Sequence, residues 1–292
     1  MKRAIFIAGL AMVVLLGGIT EAKDPSCFVS ILPLADFVEQ VSGYGIEAEV
    51  LVGPGQSPAT FEPTPQQMAR LVEADLLFVT GMPFEQRLVE KLAEMKTGLK
   101  IVDLRQGIDL IKTEESEHEN PDHHDHGEYD PHVWLDPDNV KIMAGTIAQA
   151  LKEIAPERIH SLEAGRTVFC ERLDSVKTEV AASLEGLSNR TLYVFHPAYG
   201  YFCRAFGLKQ VAVEIEGKEP SARQLADLID RARAEQVKVI FVQPQFSQKS
   251  AQAIAEAIGA VVVPIDPLAR DYIDNLHEIA SRIKEGLSSR GQ

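Results

Sequence analysis

Short runs of branched apolar residues alternate along this chain with stretches in which apolar residues recur every three or four positions. Cys27–Leu32, Glu47–Val52, Asp75–Thr80 and Lys100–Leu104 predict strands, and Leu34–Ser42, Pro65–Glu73 and Phe84–Lys96 predict the helices between them. Such alternation predicts a parallel sheet with helices on both faces. Thr64-Pro65-Gln66-Gln67 supplies an N-cap, a proline at the first helical position and a capping-box glutamine. Asp136-Pro137 opens a further helix, whose Val140, Met143, Ile147, Leu151 and Ile154 form one apolar face.

A longer period follows. From Pro156 to about Leu187 no internal proline occurs, and apolar residues recur from Ile159 through Leu162, Phe169, Leu173, Val176, Val180 and Leu184. About thirty residues make roughly 45 Å of helix, enough for a strut joining two lobes. The alternative is a plain amphipathic helix that frays at Gly165. The second half repeats the first. Thr191–Phe195, Gln210–Glu214, Lys238–Val242 and Ala260–Pro264 predict strands. Tyr199–Phe206, Ser221–Glu235, Ser247–Ile258 and Asp271–Leu287 predict helices, the second opened by a Ser221–Gln224 capping box.

Two segments break the pattern. Met1-Lys2-Arg3 precedes an apolar run from Ala4 to Ile19, too short for a membrane span and shaped like a secretory signal. We expect cleavage after Ala22; a retained membrane anchor is the alternative. Cys27 follows Asp24-Pro25-Ser26, which is not a lipoprotein signal, so a free periplasmic protein without a direct lipid anchor is expected. The second segment, residues 114–130, holds eight acids and four histidines and almost nothing apolar, so it predicts a surface loop.

The chain has 292 residues, 29 basic and 43 acidic, for a net charge of −14. Loss of Lys2, Arg3 and Glu21 with the leader makes it −15. That balance argues against a nucleic-acid partner and against docking on anionic lipid. Three cysteines allow at most one internal pair, Cys170 with Cys203 being the preferred one and three separate thiols the alternative.

Ligands of parallel α/β sheets bind at the carboxyl ends of strands. His196 follows one predicted strand and Asp266 another, and His132 follows the acidic loop; each stands beside a proline. Two imidazoles and a carboxylate suit a borderline cation such as Zn²⁺. A histidine at a strand end can equally serve packing. His160 and His277 read as ordinary surface residues.

Three strings carry a resemblance: DPHVWLDP at 130–137, FHPAYGYFCRAFGL at 195–208 and VEIEGKEPSARQL at 213–225. With SPATFEPTP at 57–65 and IDPL at 265–268, the chain resembles the ZnuA/TroA-like solute-binding proteins of zinc and manganese ABC importers over essentially its whole mature length. The resemblance implies an α/β fold of two lobes, each a roughly four-stranded parallel sheet flanked by helices, joined by one long rigid helix. The boundaries become 1–22 for the signal peptide, 23–153 for the first lobe, 154–188 for the linking helix and 189–292 for the second lobe. A metal in the interlobe cleft is implied, with His132, His196 and Asp266 at ligand positions. Histidine at 196, where manganese members tend to carry a carboxylate, favours Zn²⁺ over Mn²⁺.

One position departs. Relatives usually read Pro-His where this chain has Pro58-Ala59, and a methyl group coordinates nothing. Water is the first choice to complete a tetrahedral site, then a loop histidine among His118, His123, His124 and His126, or Glu62. The histidine-rich loop also resembles a low-affinity zinc collector; the alternative is a solvated spacer.

The resulting expectation is a monomeric periplasmic carrier that captures zinc, passes it to the membrane permease of an ABC importer and catalyses nothing. Two rivals remain at this stage. A three-ligand site with an open position is also the logic of a zinc hydrolase, although Glu62 is the only base to nominate. A zinc buffer or chaperone without a transporter would share the same residues.

Overall fold

The computed structural model describes residues 25–95, 97–113, 128–213, 222–246 and 248–288. The expected signal segment, loop residues 114–127 and Ser221 of the expected second capping box lie outside the described residues. Four parallel strands, β1 (Cys27–Ile31), β2 (Ala48–Val52), β3 (Leu76–Val79) and β4 (Lys100–Asp103), form a sheet in the order β2-β1-β3-β4. A second parallel sheet has β5 (Thr191–Val194), β6 (Lys209–Ala212), β7 (Val239–Val242) and β8 (Val261–Pro264) in the equivalent order β6-β5-β7-β8. Helices flank them: α1 (Leu32–Ser42), α2 (Pro65–Leu71), α3 (Pro83–Glu94), α4 (Pro137–Ile154), α5 (Ile159–Ser183), α6 (Gly200–Phe206), α7 (Ala222–Ala234), α8 (Gln248–Ile258) and α9 (Tyr272–Ser288). None of the described helices is long and apolar enough to cross a membrane.

Sequence and position agree strand by strand. The central strands β1, β3 and β7 are buried at every residue, as strands covered on both faces must be. Edge strands β4 and β8 are partly exposed. In the second sheet, alternate residues serve different cores. Leu192, Val194, Val239 and Phe241 point into one, and Tyr193, Phe195, Ile240 and Val242 into another. The first of these cores continues through α6, α9, α5, α4 and α1 into the first sheet. The lobes therefore share one apolar interior.

The long helix departs from expectation at both ends. Pro156–Arg158 form a 3₁₀ turn and α5 stops at Ser183, so the α-helix is 25 residues, about 37 Å. Nor does it fray at Gly165. A Cβ there would stand 2.4 Å from the carbonyl oxygen of Val41 and 2.9 Å from that of Gln40, so the glycine marks where α5 and α1 press backbone to backbone. Leu162, Phe169, Leu173, Val176 and Val180 are the buried stripe of α5. Phe37 of α1 lies 5.7 Å from Phe169 and 4.9 Å, edge to face, from Tyr272 of α9, so helices from both lobes grip α5.

The Thr64–Gln67 capping box forms as expected. The cysteine pair does not. Cys27 and Cys203 are buried thiols and Cys170 is a half-buried one; burial pushes Cys27 and Cys203 up to about 12. Cys203 is turned into the apolar core from α6 while Cys170 rides on the linking helix, and each is left as a free thiol.

The β3–α3 turn holds a buried carboxylate. Glu85 Oε2 accepts the backbone N–H groups of Thr80, Gly81 and Met82 at 3.0, 2.6 and 2.8 Å. These bonds favour the anion, but desolvation outweighs them and pushes the carboxyl up to about 7.

Two predictions follow from this packing. Gly165→Ala must push α5 off α1 and is expected to lower stability by about 2–3 kcal/mol. Gly145→Ala, at a position in α4 where an added Cβ meets nothing within 4 Å, is expected to raise it by up to about 1 kcal/mol. Urea denaturation of both variants checks this. For Glu85, the folded-state pKa lies above the unfolded value of 4.5, so its contribution to stability is complete below about pH 4.5 and lost as pH rises through about 7. Relative to Glu85→Gln, the unmodified chain is expected to lose about 3 kcal/mol across that window, measured by denaturation at each pH.

Candidate metal site

The carboxyl ends of both sheets border the space between the lobes. In each sheet the chain leaves the first strand for one neighbour and returns on its other side, which opens a crevice at the switch point. His196 stands at the end of β5 and Gln243 and Gln245 at the end of β7, on the two sides of the second switch point. Asp266 follows β8. His132 reaches the same region from a 3₁₀ turn, Val133–Leu135, that leads into α4.

His132 is fixed by Asp130. One carboxylate oxygen, Oδ1, accepts both the backbone N–H of His132 at 2.9 Å and its Nδ1 at 2.7 Å, and the side chains are only 14% and 11% exposed. An acceptor at Nδ1 places the proton there and leaves the Nε2 lone pair to a metal. Asp130 is itself held across the lobes. Its backbone N–H donates to Ile111 O at 2.8 Å, and its carbonyl accepts from Tyr201 OH of α6 at 3.1 Å. Gly200 permits this approach, since a Cβ there would meet Asp130 Oδ2 at 2.7 Å.

The ring of His196 lies 5.3 Å from that of His132, at 72°. It stacks on Phe246 at 4.6 Å and 22°. Its backbone is clamped by the fully buried Gln243, which donates from Nε2 to His196 O at 2.7 Å and accepts from His196 N at Oε1 at 3.2 Å. Asp266 lines a cleft of about 270 Å³, with Val52, Gly53 and Gln56 on one wall and Gln245 and Arg270 on the other. Its Oδ1 accepts from Leu268 N and from Gln245 Nε2, each at 2.9 Å. Asn275 of α9 donates to its carbonyl at 2.8 Å. Complete burial, reinforced by the Asp266 charge, holds Tyr199 as a neutral phenol, its pKa raised well above the ordinary value. Trp134 joins the His132 turn to the Asp266 loop. Its ring lies 5.3 Å from that of His132 and its Nε1 donates to Pro267 O at 2.8 Å.

The structure thus sets His132 beside His196 and ties the Asp266 loop to the His132 turn through Trp134. Among the described residues no three His, Cys, Asp or Glu side chains form a ready-made ion cage. Ala59 and Glu62 are exposed, Ala59 within a 3₁₀ turn at Pro58–Thr60. The loop histidines lie outside the described residues. Sequence reasoning passed over Asp130, Trp134, Gln243, Gln245 and Phe246. Position alone could have flagged Gln243 and Gln245, because they follow a strand just as His196 does.

Comparison with known proteins bears on this arrangement. The model of the family described as "ZnuA: Zinc-uptake complex component A periplasmic" matches residues 27–286. The chain belongs to the ZnuA family. It is 28% identical to the high-affinity zinc uptake system protein ZnuA of Brucella suis biovar 1, over 98% of each chain. A ZnuA crystal structure superposes with a TM-score of 0.82 at 38% identity, covering 90% of this chain and 99% of the other. A zinc-bound ZnuA deletion mutant gives the same TM-score and identity, covering 90% and 98%. Manganese-bound and zinc-bound proteins at 20% and 24% identity share the fold.

Trp134 is the only tryptophan in the chain. An ion bound at His132 Nε2 is expected to change its emission, so zinc titration followed by fluorescence gives a saturable response that His132→Ala removes.

Proposed function

We propose that this chain captures Zn²⁺ between its lobes through His132, His196 and Asp266 and hands it to the permease of an ABC importer. It is a binding component and not an enzyme, as membership of the family implies. The observation that carries the reading is the pair of imidazole rings with centroids 5.3 Å apart, each immobilised by its own partners. Its donors suit zinc. Two nitrogens and one carboxylate oxygen match a borderline cation better than Mn²⁺, which prefers oxygen. The names of the ZnuA relatives, one referring to zinc uptake and one to bound zinc, support the same cargo.

The periplasm is the expected compartment, reached by cleavage after Ala22, with the mature chain free and monomeric. Asp266 supplies the carboxylate of the site from the second lobe. Ala59 leaves the fourth position to water, so a chelator of modest strength competes with the protein more readily than it would against a four-ligand site. The histidine-rich loop collects zinc weakly outside the cleft.

Calorimetric zinc titration of the mature protein tests this reading. One tight site is expected, lost in His196→Ala and weakened about 10-fold or more in Asp130→Ala, which removes the acceptor behind His132. Deletion of residues 115–127 is expected to leave that site intact and to remove only weaker binding. Tight binding that survives His196→Ala would place the ion elsewhere. Loss of the tight site in the deletion would assign the fourth position to a loop histidine.

A further inference from the structure

The four residues after β7, Gln243-Pro244-Gln245-Phe246, hold both second-lobe ligands of the proposed site. Gln243 continues the sheet ladder with its side chain: Phe195 N donates to Phe241 O at 2.7 Å, and one step on the amide of Gln243 bonds both backbone groups of His196. Phe246 sets the plane of the His196 ring. Gln245 acts on the other ligand. Asp266 Oδ1 is an acceptor, so the nitrogen end of the Gln245 amide must face it. That orientation leaves Gln245 Oε1 without a hydrogen-bond partner among the described residues.

A carboxylate oxygen has two lone pairs. Leu268 N and Gln245 Nε2 occupy both of those on Oδ1, leaving Oδ2 alone to coordinate. We infer that Gln245 is a specificity-determining positioning residue, which restricts Asp266 to one-oxygen coordination and so favours a four-coordinate cation over a larger one of higher coordination number. This inference rests on the proposed zinc site. Tetrahedral zinc needs one oxygen from Asp266, whereas manganese, with its preference for six oxygen-rich ligands, gains from a carboxylate that offers two.

The test uses the mature protein, with zinc, manganese and cobalt as separate probes in chelator-competition titrations. Gln245→Leu is the variant, Gln245→Met is a second of closer length in case the first does not fold, and Asp266→Ala is the control. The melting temperature of the metal-free protein is expected to change little. The ratio of zinc to manganese affinity is expected to fall about 10-fold in either Gln245 variant, as for loss of other groups that orient a ligand. The cobalt form is expected to lose the intense visible absorption of four-coordinate Co²⁺. A purely structural role would weaken all three metals together and leave the band shape unchanged. A ratio within about threefold of the unmodified protein, or an unaltered cobalt spectrum, overturns the inference while the zinc site stands. If Asp266→Ala binds zinc as the unmodified protein does, Asp266 is not a ligand, and both the site and the inference fail.

Discussion

The close approach of α5 to α1 is the constraint on which the remaining geometry rests. At Gly165 the helices touch through backbone, which fixes the linking helix on the first lobe without an intervening side chain. From that contact the apolar interior runs without a break through Phe169 and Tyr272 into α9 and the second sheet. The lobes are consequently not two bodies on a free hinge. Separating them would expose a shared core, and hydrophobic burial opposes that roughly in proportion to area. The shared core therefore constrains the width of the space between the sheets.

The positions of the proposed ligands are set by hydrogen bonds to backbone and by ring stacking. Asp130 orients His132 and is tied to the other lobe through Tyr201. Gln243 grips the His196 backbone, and Leu268 N grips the Asp266 carboxylate. Each of the proposed ligands therefore has one side already committed to the protein, which leaves the opposite atom free to face an ion. Such preorganisation raises affinity by reducing the order lost on binding.

Much of this was legible in the sequence. Runs of branched apolar residues located all eight strands among the described residues to within a residue or two, because parallel strands buried on both faces leave such unbroken runs. Prolines and caps marked helix starts such as Pro65 and Pro137 for the same local reasons that form them. What stayed hidden depends on distance along the chain. Gly165 reads as a helix breaker until Val41, over a hundred residues away, is seen beneath it. The same holds for Gln243 and Gln245, whose amides look like ordinary polar side chains until His196 and Asp266 meet them. Ala59 was legible as a missing donor, and its exposed place in a 3₁₀ turn adds none.

The way the site is distributed along the chain governs when it exists. His132, His196 and Asp266 come from three separate stretches, and Asp266 needs Asn275 of α9 to hold its carbonyl. No contiguous fragment that stops short of α9 contains the assembled arrangement. Closing loops of that length is slow compared with forming local helices. A chain that crosses a membrane unfolded therefore travels without a cleft site, and metal capture begins only where folding ends.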